Sequence, residues 1–230
     1  MPCFKEFIKN KSVLLVGPAE KFDASVLSQA ESYDICACVN CTFNIHDLEY
    51  DLFYLDDFEP RAAEVEEKIS KQTKKQTYVL STRNYSKNFG QTYLPIPQGH
   101  LKTSFLKRVS EDMDDEVGSI NTGYISILHL LEHEIKSLTI TGIDFHRSAY
   151  QDKYRCNTGN GFIPLKTTDD IREAFEPGKK SNHHNPDKQY LHFKNFVYDV
   201  DKRVVVDEHM KTFMSDEKYN IIFGSDNEPT

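Results

Sequence analysis

The strongest constraint on this chain is a series of short, nearly continuous apolar runs, each ending in a turn-forming or polar residue. Ser12 to Gly17 runs into Gly17-Pro18, Tyr33 to Asn40 follows, then Asp51 to Leu55 and Tyr78 to Ser81. Runs of this length without polar alternation mark strands buried on both faces. Helical stretches separate them: Asp23 to Gln29 suits a short helix. Arg61 to Thr73 carries Ala62, Val65 and Ile69 at helical spacing after Pro60. Strands alternating with helices predict an α/β fold, a Rossmann-like parallel central sheet covered on both faces.

The second half continues the pattern after a break. Thr82 through Pro95, Pro97 and Gly99 reads as a loop-rich crossover. Gly118 to Thr141 then forms one helix-strand unit: a turn at Asn121-Thr122-Gly123, a helix bearing Ile125, Leu128, Leu130 and Leu131, and a strand over Ser137 to Thr141. From Phe145 to Asn182 the composition turns to Gly, Asn, Lys and Asp, too long for a simple connection, so an inserted lid is expected over about 145–182. Pro186 to Tyr198 returns to helical periodicity, and residues after about Met214 look peripheral. At 230 residues, a single catalytic α/β domain spanning 1–230 with that insertion is the expected organisation.

Composition narrows the partners. A formal net charge of -8 and a pI near 5.6 argue against nucleic acid, and the cationic cluster Lys71 to Lys75 reads as a solvated helix face. No apolar run approaches the ~20 residues of a membrane span. Met1 to Ser12 carries Lys5, Glu6, Lys9 and Lys11 and lacks a signal-peptide pattern. A cytoplasmic protein, or a catalytic fragment trimmed of its anchor, is expected. Among the five cysteines, Cys36, Cys38 and Cys41 lie close together. Cys36 and Cys38 share one face of a strand, which favours buried free thiols over a metal site. Reduced thiols fit the cytoplasmic setting.

In an open α/β sheet the ligand crevice lies beyond the carboxyl ends of the strands, and four places qualify. They are Gly17-Pro18-Ala19, Asn40, Asn121-Thr122-Gly123, and Gly142-Ile143-Asp144-Phe145. The glycine turn can bring backbone amides to a nucleotide, but neither a three-glycine dinucleotide fingerprint nor a lysine-bearing phosphate loop is present. Asn121-Thr122-Gly123 opens a helix, where amides and the helix dipole favour anions; a plain N-cap is the competing reading. Asp144 either orients a catalytic group or only caps a turn. His183-His184-Asn185-Pro186-Asp187 precedes the last strong helix, and a neutral histidine there suits activation of a sugar hydroxyl. Asp56-Asp57 suggests the carboxylate pair of metal-dependent nucleotide-sugar enzymes but lacks a third acid.

Together these places resemble the sialyltransferases. Ile120-Asn121-Thr122-Gly123-Tyr124, an apolar helix, and Leu138-Thr139-Ile140-Thr141-Gly142-Ile143-Asp144-Phe145 look like that family's second conserved block, closest to the bacterial type. The Gly17-Pro18 turn and Asp34 to Asn40 resemble its nucleotide-binding first block, and His184 matches its histidine base. The likeness covers most of residues 12 to 198. It implies an inverting glycosyltransferase that moves sialic acid, Kdo or a similar acidic keto sugar from a CMP-activated donor to a glycan acceptor, with no metal and no further cofactor. By the same resemblance Asn40 holds the donor, Thr122 and Gly123 contact its sugar or nucleotide, and Gly17 lines the CMP pocket. The family's two leaving-phosphate tyrosines fall at His146 and Tyr150, so one position departs from the pattern. An asparagine that the family carries just ahead of the first glycine turn is missing beside Gly17, and another falls near Leu55 or Asp56. The competing expectations are an inactive nucleotide-binding module of the same fold and a metal-dependent hydrolase using His183, His184 and Asp56-Asp57.

Overall fold

The computed structural model describes residues 3–55, 65, 67–73, 77–81, 92–95, 120–151, 154, 167, 170 and 186–215. Seven strands form one sheet in the order β5-β4-β3-β2-β1-β6-β7, and every pairing is parallel. They are β1 (Ser12–Val16), β2 (Ile35–Val39), β3 (Leu52–Leu55), β4 (Tyr78–Ser81), β5 (Thr92–Pro95), β6 (Ser137–Thr141) and β7 (Val204–Val206). The flanking helices include α1 (Phe4–Ile8), α2 (Ala24–Ser28), α3 (Thr122–Leu131), α4 (Pro186–His192) and α5 (Glu208–Met214). This is the Rossmann-like α/β class that the apolar runs predict.

The two-residue period of a strand sends alternate side chains to opposite faces, and both faces are covered. Val13 and Leu15 of β1, with Ile35, Ala37 and Val39 of β2, join a core that includes Tyr124, Ile127 and Leu130 of α3 and Tyr190 of α4. Leu14, Val16, Cys36, Cys38, Phe53 and Leu55 form the opposite core with Val65 and Ile69. Cys36 and Cys38 are thus buried on one face of β2 and in no disulfide, as their spacing implies.

Strand ends are trimmed relative to the apolar runs because acidic side chains close the ladder. Asp34 accepts hydrogen bonds from the Ser12 amide (2.9 Å) and hydroxyl (2.7 Å), and Asp51 accepts from the Cys36 amide at 2.8 Å. Each carboxylate does at the amino edge what a neighbouring backbone carbonyl does further along. At the far end of α3, Arg203 donates to the carbonyls of His133 (2.7 Å) and Leu131 (2.9 Å), while Asp201 holds its guanidinium at 2.6 Å. The carbonyls left over where a helix ends gain a cationic partner there.

Four expectations need correction. The stretch read as a loop from Thr82 contains β5, an edge strand closed by Pro95, where a residue without an amide hydrogen is tolerated. β7 and α5 escape the pattern because β7 is three residues long and Asp207 begins α5 immediately, accepting from the Met210 amide at 2.8 Å. The helix over Pro186 to Tyr198 is α-helical to His192 and then widens into π turns over Phe193–Tyr198. The lid was expected from Phe145, yet 145–151 is hydrogen-bonded to the segment after β1, with Phe145 and Ala149 buried. Most of the remaining insertion, with His183, His184 and Asp56-Asp57, lies outside the described residues.

Candidate functional site

Strands β1 to β5 proceed in one direction across the sheet, whereas β6 and β7 lie on the other side of β1. The order therefore reverses between β1 and β6, and in such sheets the ligand crevice opens beyond the carboxyl ends at that point. Val16 and Thr141 end the two strands in matching register, so Gly17 and Gly142 meet at the mouth.

Both glycines are required by this meeting. A Cβ on Gly17 would stand 2.3 Å from the Gly142 carbonyl oxygen and 2.3 Å from Ile143 Cγ1. Gly142 has φ +67°, and a Cβ there would lie 2.5 Å from the Gly17 carbonyl oxygen. The bare side of Gly17 is thus occupied by Gly142. What Gly17 and Pro18 offer a ligand is the backbone path that their packing fixes. That path is laced to the one after β6. The Ala19 amide donates to the Gly142 carbonyl (2.9 Å), Glu20 to Ala149 (2.7 Å), and Gln151 back to Pro18 (2.9 Å).

Phe145 and His146 follow with φ of 55° and 64°, two consecutive non-glycine residues in the left-handed region. Each costs about 1 kcal/mol or more and persists only where its surroundings impose it, a pattern concentrated at functional sites. Asp144 imposes it here. It is 4% exposed and accepts from the Ser148 amide (2.7 Å) and hydroxyl (2.6 Å), closing the turn, and Ser148 Oγ in turn accepts from the Lys21 amide at 3.2 Å. The Phe145 ring is core, packed against Phe193 (5.2 Å between centroids) and Tyr124 (5.8 Å). Among the residues expected to touch a ligand, Phe145 and Asp144 therefore serve the loop's shape.

The strained turn leaves His146 half-buried beside Tyr150, with 3.3 Å between Nδ1 and the phenolic oxygen. Tyr150 packs on Tyr154 at 4.7 Å, and Tyr154 Oη accepts from Asn40 Nδ2 at 3.3 Å. Asn40, just past β2, also has a positive φ, 50°. One connected chain, His146, Tyr150, Tyr154 and Asn40, thus crosses the carboxyl edge from β6 to β2. Tyr154 was missed by sequence reasoning; its only signal is the four-residue spacing from Tyr150. His46 was missed as well. It sits by Gln151 Nε2 at 3.4 Å and against Phe22, and burial lowers its pKa.

The Asn121-Thr122-Gly123 corner reaches the same edge through its contact with Ile143, in the loop after β6. A Cβ on Gly123 would contact Ile143 Cγ2 at 3.3 Å. Asn121 is the N-cap, its Oδ1 accepting from the Tyr124 amide at 2.8 Å, so the capping role is realised. The Asn121 amide donates to Gln189 Oε1 of α4 at 3.2 Å, which draws the first turns of α3 and α4 together.

Burial raises the Asp144 carboxyl pKa from 3.8 to about 6, against the lowering effect of its bonds to Ser148. A folded-state value above the unfolded one stabilises the fold fully below about pH 3.8, and that contribution is lost as pH rises through about 6. Asp187, also raised to about 6 by burial, acts in the same direction. Denaturant midpoints measured from pH 4 to 7 are expected to show a smaller contribution of this sign in Asp144→Asn than in the wild type. Parallel profiles for the two proteins would contradict the assignment.

The fold and this edge define a Rossmann-like α/β protein whose switch point is bordered by Gly17, Asn40, the α3 N-terminus and the His146–Tyr150 pair. No protein-family model matches the chain, and neither a curated protein nor a solved structure is significantly similar to it. Among the described residues no helix is long and apolar enough to cross a membrane.

Proposed function

We propose that the protein is an inverting glycosyltransferase that uses a CMP-activated acidic sugar and needs no metal ion. The observation that carries the reading is convergence. Gly17, Asn40, Asn121 to Gly123, and His146 with Tyr150 come from four separate stretches and meet at one edge of the sheet, where nucleotide ligands sit in folds of this class. In the sequence His184 stands two residues before Pro186, the residue that opens the helix Gln189 ties to Asn121.

In the proposed reaction His184 takes the proton of an acceptor hydroxyl as its oxygen attacks the anomeric carbon. The bond from that carbon to the phosphate oxygen breaks, and its electron pair leaves with CMP. Hydrogen-bond donors at the crevice meet the developing phosphate charge: the Tyr150 hydroxyl, an imidazole N–H of His146, and the first-turn amides of α3. Positioning both sugars against these groups supplies much of the remaining rate enhancement.

The test is calorimetric titration with CMP, UMP and AMP, followed by transfer and hydrolysis assays with CMP-sialic acid and CMP-Kdo in EDTA. CMP is expected to bind at least about tenfold more tightly than the other two nucleotides, and turnover is expected to survive the chelator. Binding of CMP without turnover of either donor would assign the chain to the inactive-module reading. Activity that disappears in EDTA and returns with a divalent ion would favour the hydrolase.

A further inference from the structure

We infer that Gln189 is a ligand-binding residue, and that its side-chain amide donates to an oxyanion, a carboxylate or phosphate oxygen, seated at the N-terminus of α3. Gln189 is 0% exposed and projects from α4 toward that terminus. Its Oε1 accepts the Asn121 backbone N–H at 3.2 Å. That bond fixes the orientation of the amide, because only the oxygen can receive an N–H. The group left over is therefore Nε2, a buried donor with no hydrogen-bond partner among the described residues. A buried amide donor left without an acceptor is destabilising, so such a group marks a place where an acceptor belongs.

The surroundings specify which acceptor. Nε2 is carried by the same amide plane whose oxygen touches the first residue before α3, a ten-residue helix. Amides in a first turn have no partner within the helix, and the helix dipole adds positive potential there. Asn121 Oδ1 satisfies the Tyr124 amide, and by the general rule for helices the amides of Thr122 and Gly123 remain to face the same point. Three N–H donors suit a carboxylate or a phosphate oxygen. In a nucleotide donor of an acidic sugar either could supply it. The inference rests on the transferase reading only for this choice of probes.

The experiment follows the side-chain amide resonance of Gln189 by NMR in the full-length protein during titration with cytidine, CMP, CMP-N-acetylneuraminic acid, free N-acetylneuraminic acid and inorganic phosphate. Affinities are measured in parallel for Gln189→Glu. Glutamate keeps an acceptor for the Asn121 amide and replaces the donor with an oxygen. The resonance is expected to move with the acid-bearing ligands and not with cytidine. A response to both sialic acid compounds but not to CMP assigns the carboxylate, whereas a response to CMP and inorganic phosphate assigns the phosphate. Gln189→Glu is expected to weaken the responding ligand on the order of 10- to 100-fold and to leave cytidine unchanged. A resonance that no oxyanion moves overturns the inference, whether or not the variant folds, and so does an affinity that the variant leaves intact. If CMP and its sugar fail to bind while phosphate or free sialic acid moves the resonance, the transferase reading falls and the oxyanion seat stands.

Discussion

Gly142→Ala is expected to destabilise the protein by about 3 kcal/mol or more. Two costs combine at this position. A non-glycine residue at φ +67° loses roughly 1–2 kcal/mol to contact between its own Cβ and backbone. The new methyl would also stand 2.5 Å from the Gly17 carbonyl oxygen, and inserting a methyl into a closed contact costs about 1–3 kcal/mol. For a chain of this size each kcal/mol lowers the melting temperature by about 2–4 °C, so thermal unfolding should begin roughly 6–12 °C lower. Gly17→Ala carries only the steric part. Because both methyls press on the same backbone crossing, the double variant should lose less than the sum of the singles. A Gly142→Ala protein that melts within about 2 °C of the wild type would mean that the two loops do not approach as described.

His184→Ala is expected to reduce transfer by about 10²- to 10⁴-fold, the range for loss of a general base, while CMP affinity stays within about twofold. The separation of the two readouts is what identifies a base. A residue that merely supported the nucleotide pocket would weaken CMP in step with the rate. If His184 is the base, its neutral imidazole is the competent form, so the wild-type rate should fall toward acid pH. The residual activity of the variant should lack that limb. If His183→Ala shows the larger loss and His184→Ala is nearly silent, the base is the neighbouring histidine.

The strands buried on both faces were the most legible part of the sequence. β4 and β6 occupy the residues that their apolar runs mark, because such a run has no alternative that buries every side chain. Legibility failed at the margins of the sheet. β5 and β7 are its two edges, and an edge strand carries a weaker burial signal than one flanked on both sides. The candidate site divides in a similar way. Glycines at strand ends were readable as places where backbone matters, yet the sequence could not show that Gly17 and Gly142 need each other, since that follows only from the β1–β6 register. Phe145 belongs to a motif and therefore attracted a ligand-contact role, whereas its ring fills the core beside Phe193. Tyr154 stands in polar surroundings with no motif of its own. Its contact with Asn40 spans 114 positions and exists only once the sheet has formed.

Lacing the loop after β1 to the loop after β6 has a consequence for how this region can vary. Paired backbones keep step only while both have their present number of residues, as two sides of a zip do. Exchanging the exposed Glu20 or Lys21 for another amino acid leaves that count intact. Deleting either residue would shift the chain after it by one and pull the Asp23 amide off the Asp207 carboxylate that receives it at 3.3 Å. Lineages that carry this crevice should therefore tolerate drift in the letters of these two loops and resist gaps, unless both loops change length together.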